Sequence, residues 1–159
     1  MPQIIREIKL HMKIIRKINS ILEDMVNDQD CILESYQYNN MSKANVVLDN
    51  KKPSPTALFV QVTDFVLDMS LINKREKMFV LISFLTKENK LDSEATAQDA
   101  LIEDMSGLAV EFVKRIKADK TLRILNEDLK FKSVFYKSDS NRTGVSLELE
   151  LLDLEGECL

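Results

Sequence analysis

The clearest pattern in the chain lies near its end. Leu129–Lys137 and Thr143–Leu151 each alternate apolar and polar residues, the period-two signature of strands with one buried face. A polar turn between them makes an antiparallel hairpin. One register satisfies both faces: Leu129 opposite Leu151, Phe131 opposite Leu149, Ser133 opposite Leu147 and Phe135 opposite Val145. The same register sets Lys130 against Glu150 and Lys132 against Glu148. Cross-strand pairs of opposite charge favour it, and a one-residue slip would turn the apolar side to water.

Residues 3–26 read as an amphipathic helix. Ile5, Ile8, Met12, Ile15, Leu22 and Met25 recur at helical spacing, and Ile4, Ile14, Ile18 and Ile21 widen the stripe. The basic residues fall on the opposite side. So wide a stripe calls for a large partner surface, either the domain's own sheet or a neighbouring subunit. Residues 27–43 are polar and read as a loop, with room for a short strand over 31–36. Val46–Leu48 reads as a short strand. Pro53 and Pro55, which cannot donate ladder hydrogen bonds, mark a turn or extended edge before the next strand.

Ala57–Ser70 reads as a long strand whose apolar parity switches near Thr63 and Asp64, the mark of a bulge or bend. Asn73–Lys77 is a polar turn. Met78–Leu85 is almost continuously apolar, as in a central strand covered on both faces. A second helix is predicted over 94–118 from Leu101, Met105, Leu108, Phe112 and Ile116. Its acids come early (Glu94, Asp99, Glu103, Asp104) and its bases late (Lys114, Arg115, Lys117), which complements the helix dipole. Residues 119–128 connect it to the hairpin. The predicted class is α+β, a mainly antiparallel sheet of about four strands packed by two long helices. The whole of 1–159 forms one domain, with the amphipathic helix over 1–26 and an α+β core over 46–159.

Composition narrows the function. Three glycines and three prolines in 159 residues, with 45% apolar residues, describe a globular chain with a core. A net charge of −4 gives no general attraction to nucleic acid. The charge is uneven, however. Arg6, Lys9, Lys13, Arg16 and Lys17 make the start basic; Glu148, Glu150, Asp153, Glu155 and Glu157 make the end acidic. Two readings are open: head-to-tail complementarity between subunits, or two solvated faces. Cys31 and Cys158 form no CxxC and suggest neither a disulfide framework nor a zinc site. Charges interrupt the apolar start, so no signal-peptide core is expected, and no apolar run reaches membrane-spanning length. A cytoplasmic protein is expected.

Candidate chemistry is sparse. His11 is the single histidine and has no nucleophile motif beside it. Asp68 with Glu88-Asn-Lys90 imitates the two-carboxylate and lysine set of metal-dependent nucleases, but Glu88 and Lys90 fall in a polar loop beyond the apolar strand. Glu148 and Glu150 share a strand face and could pair for acid–base work, yet the facing lysines read as a salt-bridge ladder. No phosphate-cradling glycine loop and no cofactor motif appear. No catalytic, cofactor-binding or metal-ligating residue is assigned.

Taken in order, these elements resemble the small tail-terminator and head–tail connector (neck) proteins of tailed bacteriophages. The matching stretches are the leading amphipathic helix, Pro53-Ser-Pro55 before a strand pair, the helix from Glu94 to Ala118, and the hairpin with Thr143-Gly-Val145 followed by alternating leucines. The likeness runs from about Val46 onward and extends to the cap proteins of contractile injection systems. It implies a virion structural protein, assembled in the host cytoplasm. Such a protein forms a hexameric ring that stops tail-tube growth and docks head or neck proteins. It implies no enzyme activity, cofactor, specific nucleic acid or membrane. Function would then reside in surfaces, with Arg6, Lys9, Lys13, Arg16, Lys17, Glu148, Glu150, Asp153 and Glu155 as interface residues. The readings of another class are a metal-dependent nuclease, and an intracellular adaptor binding through its first helix.

Overall fold

The computed structural model describes residues 13–39, 53–61, 66–68, 73–88, 95–126, 128–136, 142–155 and 157–158. Two helices, α1 (Lys13–Asn27) and α2 (Ala95–Ala118), accompany eight strands among these residues: β1 (Ser35–Asn39), β2 (Thr56–Gln61), β3 (Val66–Asp68), β4 (Asn73–Lys87), β5 (Leu122–Ile124), β6 (Phe131–Tyr136), β7 (Arg142–Asp153) and β8 (Glu157–Cys158). The class is α+β, as the alternation of periods predicts. The predicted Val46–Leu48 strand, the Thr63–Asp64 bulge and the first turns of the leading helix lie outside the described residues.

The sheet runs β1-β2-β4-β7-β5, with β3 and β8 on β4 and β6 on β7. It is mixed rather than simply antiparallel, because β1 lies parallel to β2. It also has more than four strands. Asn73–Lys77, whose charges suggested a turn, instead extends the central strand. The connection after α2 contains β5, too short to show a period, and the strand expected over 31–36 falls at 35–39. Thr56 opens β2 directly after Pro55.

β4 is the spine. It pairs with β2 from Thr56↔Leu85 to Gln61↔Val80, and with β7 from Lys77↔Leu152 to Lys87↔Arg142. Met78, Val80, Ile82 and Phe84 point to one side, where Val145, Leu147, Leu149 and Leu151 of β7 join them. Both helices cover this side. α1 contributes Ile14, Ile15, Ile18, Ile21, Leu22 and Met25, and α2 contributes Met105, Leu108, Ala109, Phe112, Val113 and Ile116. Apolar residues three and four apart on each helix thus meet apolar residues two apart on the strands, burying one continuous core. Phe84 and Phe112 stack at 5.8 Å between centroids. The other side of the sheet is partly covered: Leu58 and Leu85 are buried, while Phe79 is 42% exposed.

The hairpin forms, but two residues away from the expected register. Phe131 faces Leu147, Ser133 faces Val145 and Phe135 faces Thr143. Competition for the outer edge of β7 explains the slip. β5 takes the end of that edge, with Ile124 on Leu151 and Leu122 on Asp153. Leu125 N–H then donates to the Glu150 carbonyl at 2.8 Å. The Asn126 side chain follows, donating to the Glu148 carbonyl at 2.9 Å and accepting from Glu150 N–H at 3.1 Å. β6 can start only beyond these groups. A two-residue shift keeps each side chain on its predicted face, but it breaks both expected charge pairs, setting Lys132 opposite Ser146 and leaving Lys130 one step beyond Phe131↔Leu147, beside Glu148. Glu150 bonds to Lys77 at 2.9 Å instead. β6 also lies beyond the reach of the helices, leaving Phe131 40% and Phe135 54% exposed.

Backbone approach is closest at Gly144, opposite Leu85. A Cβ there would run into the Phe84 carbonyl, whereas one on Gly107 in α2 would meet nothing within 4 Å. Gly144→Ala is therefore expected to destabilise the fold by about 1–3 kcal/mol through overpacking. Gly107→Ala should stabilise it by about 0.5–1 kcal/mol through helix propensity and unfolded-state entropy. Urea unfolding of the two variants checks both signs.

Candidate functional site

The predicted basic start and acidic end meet inside one chain. The first turns of α1 lie over the far end of β7, where Lys17 Nζ bonds to Asp153 Oδ1 at 2.6 Å. Lys17 also reaches Glu155 at 3.3 Å, and Lys13 lies 3.9 Å from Asp153 Oδ2 and donates to the Glu155 carbonyl at 3.1 Å. Asp153 is 1% exposed. Four of the residues expected to serve contacts between subunits thus neutralise each other locally. This third arrangement was hidden because the spacing along the chain says nothing about which end the helix folds back on.

Of the others, Arg16 and Glu148 are exposed, and Glu150 pairs with Lys77. Arg6, Lys9 and His11 lie outside the described residues. Lys130 and Lys132 form no ion pair among the described residues, in contrast to the expected ladder with Glu148 and Glu150. They sit with Glu148, Ser146 and Leu81 on the side of the sheet away from the helices.

Sequence reasoning missed Glu76. One step beyond Lys77↔Leu152, it stands next to Asp153 on the helix side of the sheet and opposite Leu67 of β3. It is 1% exposed, and the Ile14 and Lys13 N–H groups that face its carboxylate stop short of full hydrogen-bond geometry. Burial, then the neighbouring Asp153 charge, pushes its pKa from 4.5 up to about 8. The Ile14 and Lys13 N–H groups and the Lys13 charge act the other way without overcoming burial. A period-two reading carried back from Met78 would have put Glu76 on the buried side, but its charged neighbours argued for a turn.

The opposite end of α1 is also tied by charge. Arg115 of α2 bonds to Asp28 at 2.6 Å and to Glu111 at 3.0 Å. The Asp30 N–H and then Arg115 hold Asp28 below the usual carboxylate range. Here Asp28, Asp30, Glu103, Asp104 and Glu111 rim an open cleft of about 420 Å³, beside Cys31 and the half-exposed Ile32.

The nuclease-like set is not brought together. Asp68 ends β3 opposite Arg75, while Glu88 follows Lys87 at the other end of β4. At a strand rise of ~3.3 Å per residue the two lie roughly 40 Å apart. Glu88 accepts a hydrogen bond from Gln98 at 3.3 Å, and Lys90 lies outside the described residues. Among the described residues no group of three or more His, Cys, Asp or Glu is placed to hold a metal ion. No helix among the described residues is long and apolar enough to cross a membrane.

No family model matches the chain, and a search of the curated proteins finds no match. The functional reading therefore rests on the chain's own pattern and geometry.

Two outcomes are expected at the α1–β7 junction. Lys17→Met removes the 2.6 Å partner of the buried Asp153 carboxylate, so it should destabilise the fold by about 3 kcal/mol, measured by urea unfolding. Glu76 has a higher pKa in the folded chain than in the unfolded one. Its contribution to stability is thus full below about pH 4.5 and is lost as pH rises toward about 8. Glu76→Gln should flatten that loss and make the variant the more stable protein at the alkaline end, as melting temperatures across the range will show.

Proposed function

We propose that this chain is a virion structural protein. It forms a hexameric ring at the head-proximal end of a phage tail, terminates the tail tube and joins it to head or neck proteins. The observation that carries the reading is the succession of elements. An amphipathic helix, a Pro53-Pro55 lead into the strand pair, a long helix and a closing hairpin occur in the order that the resemblance requires. Rings close through heterologous contacts, in which two unlike surfaces of one subunit meet. The chain offers unlike surfaces: an acidic cleft between the 28–32 segment and α2, and an aromatic strand edge at β6.

Charge supports a narrower contact than the whole basic start. Lys13 and Lys17 are engaged with Asp153 and Glu155, so Arg16 is the described basic residue of α1 that faces solvent. In this reading Arg16 meets a neighbouring subunit, and its contact weakens with salt.

Light scattering and native mass spectrometry test the proposal. A hexamer is expected, alone or on mixing with the tail-tube protein encoded beside it. Arg16→Glu should lower the ring fraction while leaving the melting temperature unchanged. A chain that stays monomeric at high concentration with its tail partner present would remove the ring reading altogether.

A further inference from the structure

α2 turns Met105, Leu108, Phe112 and Ile116 into the core. On its opposite side Ala100, Glu103, Gly107, Val110, Lys114 and Lys117 are all exposed. These six alternate spacings of three and four, so they form one seam along the helix, roughly 25 Å long. The seam is ordered by charge. Glu103 lies in its first half, flanked by Asp99 and Asp104, and Lys114 and Lys117 lie in its second half. Glu103, Lys114 and Lys117 form no ion pair among the described residues. The middle is uncharged: Val110 is 41% exposed, and a Cβ on Gly107 would meet nothing within 4 Å. Glycine inside a helix costs about 1 kcal/mol relative to alanine, and no described neighbour comes close enough to require it. The helix dipole accounts for acids early and bases late, but not for a glycine and an exposed valine between them.

We propose that this seam is a two-fold docking face for a second copy of the chain, with the two α2 helices antiparallel. Centred between Gly107 and Val110, that pairing sets Glu103 opposite Lys114 of the second copy, Gly107 opposite its Val110 and Ala100 opposite its Lys117. Each contact occurs twice about the axis, because an isologous face is its own complement. The glycine lets the two backbones approach, and the valine fills the hollow it leaves.

The order of charges selects this occupant. Parallel α2 helices would set Glu103 on Glu103 and Lys114 on Lys114, and like charges facing each other are unfavourable. A nucleic acid or an anionic membrane would meet the acids of the first half along with the lysines of the second. An unrelated helix would have to carry the reverse order of charges around a central apolar contact, which a second copy already supplies. Six positions a side make a small interface, so the dimer is weak and concentration-dependent. The inference goes beyond the ring reading and does not rest on it. Ring contacts join unlike surfaces, whereas this one joins like surfaces and stops at two. The acidic cleft opens to one side of the seam and shares only Glu103 and Gly107 with it.

Sedimentation equilibrium of the full chain over a range of concentrations tests the seam. The parent is expected to form a dimer that weakens with added salt. Glu103→Lys and Lys114→Glu each place like charges at both ends of the contact, so each should raise the dimer Kd by roughly tenfold or more. Glu103→Lys combined with Lys114→Glu should return it to within about threefold of the parent. Mixing the two single variants should give a heterodimer of similar strength, since each then supplies the charge the other lacks. All three variants should melt within a few degrees of the parent, because both side chains are exposed. A parent that stays monomeric at its highest soluble concentration would overturn the proposal. So would a dimer that neither single substitution weakens, or one that the double variant and the mixture fail to restore. A hexamer unchanged in both single variants leaves the ring standing and removes the seam; a charge-sensitive dimer without any hexamer does the reverse. A hexamer that the single variants break straight to monomers would make the contact head-to-tail and overturn the two-fold seam.

Discussion

The ladder between β4 and β7 is the constraint on which the other parts of the structure depend. It spans eleven residue pairs from Lys77↔Leu152 to Lys87↔Arg142, and it aligns the two apolar rows that the helices cover. Its tightness is set at Gly144, where the strands approach so closely that no side chain fits above the Phe84 carbonyl. With β4 and β7 placed, β2 has one free edge of β4 to join, and β5 and β6 must divide one edge of β7. Both helices then have only one apolar surface to cover. The sheet core comes from pairing of distant segments, while the helices contribute the broad stripes that close it.

How much of this could be read from the sequence depended on whether a segment faced one competitor or several. The long α2 was legible from Leu101, Met105, Leu108, Phe112 and Ile116, because a sustained helical period has no strand alternative. The central strand was legible over Met78–Leu85, yet its extension through Glu76 was not. Lys74, Arg75, Glu76 and Lys77 look like a turn to any local rule, and pairing on both sides overrides that preference. The hairpin shows a subtler limit. Alternation determined which face each side chain of β6 takes, but not which residue it meets, because registers two residues apart are equivalent to the apolar pattern. Charge complementarity pointed to one of them. Occupation of the β7 edge by Leu122–Asn126 decided for another.

The candidate site was legible in its ingredients and not in its assembly. Lys13, Lys17, Asp153 and Glu155 stood out as charge concentrations, and they do meet. Composition could not say that the meeting is within one chain, since that follows from where α1 lies on the sheet. Their burial also changes what they do. Exposed ion pairs contribute little, but Asp153 and Glu76 are shielded from water, so each depends on what lies next to it. The junction therefore serves as a polar anchor for α1 at one end, matched at the other by Asp28 and Arg115. Between these two ties the helix is held mainly by apolar contact, with Glu23 hydrogen-bonded to Tyr36.

The position of β6 outside the helices has a dynamic consequence. Its phenylalanines are absent from the buried core, so lifting it from β7 breaks one ladder and uncovers little apolar surface. Amide hydrogens in such an element exchange through local opening, whereas those of β4, bonded on both sides beneath two helices, exchange only when the whole fold opens. The body of the protein and its outermost strand thus belong to different cooperative units. The part of the sheet that faces outward can thus be reordered while the packed layer beneath stays undisturbed.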